Sequence, residues 1–187
     1  MIAKQSTDDK HWYALRTTYG RERKAYNYLV AHGCTAFYPT IMREQQINGH
    51  TEMKEVSRVP NMFFAYGTEE GIKNFVYDNV NLPYLRFYYR HTNQGKETIK
   101  VPLVVPESQM RSFKIICDST SMDVYIHDEE IRKFKSGQKV YITEGEFAGV
   151  EGIVARFRGQ QRVGVVVEGL LTMATAYVPT AFLKVVS

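Results

Sequence analysis

Tyr19 stands beside Arg21, and Arg16, Thr18, Arg23 and Lys24 crowd the same short stretch. A single strand of nucleic acid is held by cations on its phosphates and by aromatic faces on which its bases stack, and this stretch carries both. An exposed, solvated helix start would use the same residues, because charge runs ordinarily lie in water. A second grouping is apolar. Trp12 begins one short run, and Val59-Pro60-Asn61-Met62-Phe63-Phe64-Ala65-Tyr66-Gly67 is the most apolar run of the N-terminal half. Side chains alternate along a strand, so Met62 and Phe64 share one face and Phe63 takes the other. Phe63 is expected in the core. Met62 and Phe64 suit a partner-facing surface, where aromatics and Met are favoured, with plain core packing as the alternative. A third candidate is Phe147, between Gly145 and Gly149. An aromatic carried outward on a tight turn makes a small anchor; a ring folded back would only fill the core. Arg156, Arg158 and Arg162 could add an RNA-facing patch.

Catalysis and metal binding find no support. Cys34 and Cys117 form no CxxC pair, and His11, His32, His50, His91 and His127 show no ligand spacing. No nucleophile elbow, P-loop, HExxH or dinucleotide fingerprint occurs. The expectation is a protein with no catalytic residue, no metal and no cofactor, whose two cysteines are reduced.

The chain has 187 residues, enough for one medium and one small domain. Its 44% hydrophobic and 24% charged content excludes the disordered class. No apolar run is long enough for a membrane span, and Met1 to Lys10 holds no apolar stretch that could act as a signal peptide. A cytoplasmic monomer with no membrane contact is expected. The net charge of +4 permits nucleic-acid contact without requiring it.

The elements that must carry these residues follow from periodicity. Residues 12–17 read as a strand. The stretch from Arg21 repeats apolar residues at four-residue spacing (Ala25 and Leu29, Tyr26 and Val30) and so predicts a helix that Gly33 ends. A strand follows at 35–39. Asn48-Gly49 marks a tight hairpin within the polar stretch 41–58. After the strand at 59–67, Thr68 caps a helix bearing Ile72, Phe75 and Val76 on one face. A strand at 84–90 precedes a helix opened by Pro106-Glu107. The order β-α-β-β-α-β-α implies an α+β domain over residues 10–117. Residues 118–135, polar and then densely charged, predict a linker with one helical turn. From Ser136 to Ser187 the chain holds seven of its thirteen glycines. Strands at 138–143, 150–157, 161–167, 173–178 and 182–186 predict a small closed barrel over 136–187.

Several of these residues resemble the NusG-type transcription factors. Trp12-Tyr13-Ala14-Leu15 with Glu22-Arg23-Lys24 is similar to the start of that family's N-terminal domain, and Val59 to Ala65 to its central strand. Gly137 to Gly152 resembles a KOW motif, which ribosomal proteins also carry. The resemblance implies a ferredoxin-like α/β sandwich followed by an SH3-like KOW barrel. Leu82-Pro83-Tyr84-Leu85-Arg86-Phe87 and Val178-Pro179 resemble the UpxY type, specialised antiterminators of capsule-polysaccharide operons. Where the housekeeping factor has Tyr after Pro-Gly, this chain has Met62 after Pro60-Asn61. By resemblance, Trp12, Pro60, Met62, Phe64 and Phe87 would grip the clamp helices of the RNA polymerase β′ subunit. Arg16, Thr18, Tyr19, Arg21, Arg23 and Lys24 would touch the non-template DNA strand. Phe147 would meet a ribosomal protein or Rho. The implied function is transcription elongation with antitermination. The alternatives are a general factor coupling polymerase to Rho or the ribosome, and a KOW-type RNA-binding, ribosome-associated protein. The β-branched run Val163 to Val167 predicts that the barrel does not refold as helices.

Overall fold

The computed structural model describes residues 9–77, 79–94, 97–121, 123–126, 137–167 and 169–186. The chain forms two compact units. One comprises Met1–Tyr38 and Pro60–Pro106, the other Pro39–Val59 and Glu107–Ser187.

The first unit is built on β1 (His11–Thr17). Strand β5 (Met62–Gly67) runs antiparallel along one side of β1, and β2 (Thr35–Phe37) pairs with the far side of β5. The other side of β1 is shared by β6 (Leu85–Phe87) at its C-terminal end and β9 (Val104–Val105) at its N-terminal end. Helix α1 (Glu22–Ala31) ends in a Schellman turn. The Cys34 N–H reaches the Leu29 carbonyl, the Gly33 N–H reaches that of Val30, and Gly33 takes φ +78°. Helix α2 (Glu69–Val76) is capped by Thr68, whose hydroxyl accepts the Gly71 N–H at 3.1 Å.

Tyr13, Leu15, Phe63, Ala65, Leu85 and Phe87 cover one sheet face, and Ala25, Leu29, Ile72 and Val76 of the two helices close over it. Each of the larger aliphatic side chains contributes about 1.5–3 kcal/mol by leaving water. Of the two pairs expected to line α1, Ala25 and Leu29 are buried, whereas Val30 is 45% exposed.

Residues 84–90 do not form one strand. The chain leaves the sheet at Tyr88, whose N–H still bonds Ala14 and whose carbonyl accepts from Leu103. Between these anchors runs a separate ribbon, β7 (Tyr89–Gln94) and β8 (Glu97–Pro102).

The second unit opens with a ribbon of its own, β3 (Thr40–Ile47) and β4 (His50–Ser57), in register from Thr40 opposite Ser57 to Ile47 opposite His50. Asn48 and Gly49 make the turn, at φ +51° and +83°. Helix α3 (Glu107–Asp118) follows, then a six-stranded antiparallel sheet. Its order is β10 (Tyr125–Ile126), β14 (Leu171–Ala174), β13 (Gln160–Val167), β12 (Glu151–Phe157), β11 (Lys139–Ile142) and β15 (Leu183–Val185).

This division differs from the expected boundaries. Helix α3 lies against β12, β13 and β14, and its Ser112 hydroxyl accepts the Glu151 N–H at 3.0 Å. The Arg58 guanidinium, at the foot of the first ribbon, donates to the Ser119 carbonyl just past α3. Tyr125 and Ile126, expected within a linker, are a strand of the sheet. His127 and the charged stretch 128–135, with its expected helical turn, lie outside the described residues.

Candidate functional site

The basic and aromatic edge of the first unit is organised by Asn61. Its side-chain Oδ1 accepts the Gly20 N–H at 2.9 Å, and its carbonyl accepts the Thr17 N–H at 2.9 Å. Tyr19, Gly20 and Asn61 all hold positive φ, at +60°, +64° and +62°. A non-glycine residue there costs about 1–2 kcal/mol, so the turn is held by its bonds, not by local preference. The outcome is a tyrosine that is 90% exposed. Thr18, Arg21, Arg23 and Lys24 around it are also exposed. The Arg21 guanidinium lies 5.0 Å from the Tyr84 ring centre and that of Arg23 5.3 Å from Tyr38, so both cations are braced on aromatic faces.

Arg16 points to the opposite sheet face from Leu15 and stands beside Arg86, its register partner on β6. Arg86 donates to the carbonyls of Pro83 at 2.9 Å and Leu85 at 2.7 Å. Sequence reasoning missed Arg86 and Asn61. The alternation Leu85-Arg86-Phe87 marks Arg86 as outward, but only strand pairing reveals that it lies next to Arg16. Nearby phenols keep their protons at neutral pH. Burial pushes Tyr88 up, against the opposing pull of Arg16. Burial, then its 2.6 Å bond to Tyr77, lifts Tyr89 to about 12.

The sheet face that carries Arg16 and Arg86 at one end is otherwise apolar. Register places Trp12 opposite Tyr66, Ala14 opposite Phe64, Arg16 opposite Met62, and Phe37 beside Phe64. Trp12, Met62 and Phe64 are brought together here, but at exposures of 5%, 3% and 0% they are buried and not the open partner-facing surface expected of Met62 and Phe64. The Trp12 and Tyr66 rings are 5.2 Å apart, and those of Phe37 and Phe64 6.5 Å. Pro60 is exposed just before β5. Phe87 does not join them. It pairs with Leu15 and packs its ring 5.8 Å from Tyr13 in the helix-covered core, so the two-residue period of strands puts it on the wrong face for this group. Phe63 occupies the core as expected.

In the second unit Phe147 is only 5% exposed. Its carbonyl accepts the Val150 N–H, and the Ala148 N–H bonds Gly145, so the turn is compact and its ring is drawn in. The three arginines part company. Arg162 is 1% exposed and donates to the carbonyls of Asp123 and Thr175, the Asp123 carboxylate and Gln160 Oε1, at 2.6–2.9 Å. It is a structural cation, not part of an RNA-facing patch. Arg158 stacks on Tyr125 and Phe157, and Arg156 is exposed.

Both cysteines are free. Burial raises the Cys34 thiol and takes that of Cys117 to about 12. Among the described residues no group of three or more His, Cys, Asp or Glu side chains could hold a metal ion. No helix among them is long and apolar enough to cross a membrane.

Comparison with known families gives a match to the NusG family model. Residues 10–82 match the model described as NusG, transcription termination factor nusG. The matched stretch runs from β1 to the approach of β6, and so holds the Tyr19 turn, Asn61 and the Trp12, Met62 and Phe64 face. No curated protein matches. Among solved structures, one described as "Domain interaction in Thermotoga maritima NusG" aligns over 96% of this chain and 98% of that chain, at 18% identity and a TM-score of 0.43. The architecture is mostly β with three α-helices among the described residues, and over residues 10–82 it is consistent with a NusG N-terminal domain.

Proposed function

We propose that this protein is a non-enzymatic transcription elongation factor that binds RNA polymerase through the first unit and acts as an antiterminator. The observation that carries the reading is the NusG family match over residues 10–82, which takes in both candidate surfaces. Trp12, Met62 and Phe64 are buried at 5%, 3% and 0% exposure, so they would lie on the β′ clamp helices only in a state that uncovers this apolar face, with Pro60 at its rim. A helix laid on a sheet is gripped through such an apolar face. Arg16, Thr18, Tyr19, Arg21, Arg23 and Lys24, joined by Arg86, would hold the non-template DNA strand by stacking and phosphate contact. The factor favours elongation by binding the closed clamp better than the open one, since a ligand shifts an equilibrium only by its differential affinity. The UpxY-like residues Leu82 to Phe87 support capsule-polysaccharide-type operons as targets.

The test is recovery of purified polymerase on the immobilised full chain. Trp12→Ala and the pair Met62→Asp with Phe64→Asp are compared with the parent, and circular dichroism identifies the variants that remain folded. Loss of polymerase by a folded variant supports the surface; undiminished recovery by Trp12→Ala rejects it. Sequencing of nascent transcripts with and without the protein then identifies the operons. Coupling to Rho or a ribosomal protein through Phe147 draws no support from a ring that is 5% exposed.

A further inference from the structure

We propose that the second unit carries a separate site for single-stranded nucleic acid, with Tyr177 as its stacking platform and Arg156 as its phosphate cation. The site goes beyond the polymerase reading and does not depend on it.

A cavity of about 400 Å³ opens on the sheet of this unit, lined by Arg156, Gly159, Gln160, Gln161, Tyr177 and Thr180. Its position follows from register. Val163, Val165 and Val167 of β13 are buried on one face. The same face continues to Gln161, and Arg156 of β12 is its cross-strand partner. The apolar stripe therefore ends in an amide and a guanidinium. Arg158 and Gly159, at φ +50° and +77°, make the turn joining the two strands. A Cβ built on Gly159 meets nothing within 4 Å, so this wall of the cavity is open.

The aromatic is held in place. The Val178 N–H donates to the Gln161 carbonyl at 3.1 Å, and Gln161 Nε2 donates to the carbonyl of Val178 and the hydroxyl of Thr180 at 3.0 and 3.1 Å. Val178 is 2% exposed, while its neighbour Tyr177 is 53% exposed. A large ring left in water on a backbone this well fixed loses little entropy when a flat group stacks on it.

The polar groups select the ligand. Among the described residues no carboxylate lines the cavity. Arg158 is drawn over Tyr125 at 5.0 Å and Arg162 is buried, which leaves Arg156 as the cation available here. Gln160 Oε1 accepts from Arg162 at 2.6 Å, so its amide N–H groups are left to meet an acceptor. One aromatic face, one guanidinium and one amide donor suit a base with its phosphate. A simple anion calls for convergent cations and no ring.

The experiment titrates the full chain against labelled oligouridylate RNA and oligothymidylate DNA of about twelve nucleotides, a length suited to such a groove. Fluorescence anisotropy reads affinity in a Tyr19→Ala, Arg16→Gln, Arg21→Gln, Arg23→Gln, Lys24→Gln, Arg86→Gln background, which strips the proposed site of the first unit of its stacking ring and its cations. Tyr177→Ala is expected to weaken binding about tenfold, while Tyr177→Phe retains it. Arg156→Gln is expected to reduce the slope of log affinity against log salt by about one. Comparison of the two strands decides which sugar is preferred. Photocrosslinking with thiouridine is expected to label the Tyr177 peptide. Affinity unchanged by Tyr177→Ala, absence of binding in that background, or crosslinks confined to the first unit would each overturn the proposal.

Discussion

Gly20 and Asn61, far apart in sequence, meet through one hydrogen bond of 2.9 Å from backbone N–H to side-chain Oδ1. The bond fixes a turn in which Tyr19 and Asn61 both hold left-handed backbone angles. Two substitutions separate the bond from the angle. Asn61→Gly keeps the angle and loses the bond, at a cost of about 0.5–1.5 kcal/mol. Asn61→Ala loses the bond and adds backbone strain, for about 1 kcal/mol more. Urea denaturation should rank the parent above Gly and Gly above Ala. The opposite order of the two variants would mean that Asn61 does not hold this conformation against strain.

The parts of this region that could be read from the sequence are those fixed locally. Tyr19, Arg21 and Lys24 are neighbours in the chain, so their shared exposure follows from the start of α1. Thr68 capping α2 and Asn48-Gly49 turning a ribbon are likewise local, and both are as expected. The placement of Arg86 beside Arg16, and of Phe87 away from Met62, depends on which residue of β6 pairs with Leu15. A register is set by tertiary packing and cannot be read from either segment alone. The same reason hid the partner of α3. Its start at Pro106-Glu107 was legible, but not that the helix would lie against β12 to β14.

Arg162 links Asp123 to the sheet through four hydrogen bonds, two of them to Asp123 itself. The Asp123 side chain is 45% exposed while that of Arg162 is 2% exposed. Solvent can therefore replace much of what the carboxylate loses, but little of what the guanidinium loses. Asp123→Asn should cost roughly 0.5–1 kcal/mol, and Arg162→Leu about 3 kcal/mol. In Arg162→Leu the amides of Tyr125 and Ile126 should exchange with deuterium faster than in the parent, because β10 loses its anchor. Equal protection in the two proteins would assign β10 to its strand pairing alone.

Alkaline pH should destabilise the fold. Burial raises Cys117 from 9.0 to about 12, and burial with the nearby Glu69 charge raises Tyr13 from 10.0 to about 12. Between the unfolded and folded values the native state keeps protons that the unfolded chain has lost. Stability from these groups is thus complete below about pH 9 and falls as pH rises toward 12. Chemical denaturation at pH 8, 9.5 and 10.5 should give falling midpoints. In the native protein at pH 8, Cys117 should resist alkylation until the chain unfolds.

Gly152 sits where β12 approaches β13 too closely for any side chain. A Cβ there would lie 2.3 Å from the Gly164 carbonyl oxygen and 2.7 Å from Val163 Cγ1. The obstacle is backbone, which cannot swing aside as a flexible side chain would. Gly152→Ala should therefore separate two paired strands and cost about 1–3 kcal/mol or more. Gly159→Ala offers the contrast, because only its φ of +77° opposes a side chain and the space around it is open. That change should cost about 1 kcal/mol. Thermal melts of the two variants should place Gly152→Ala well below Gly159→Ala, and coincident melting temperatures would show that the close approach of β12 and β13 yields at little cost.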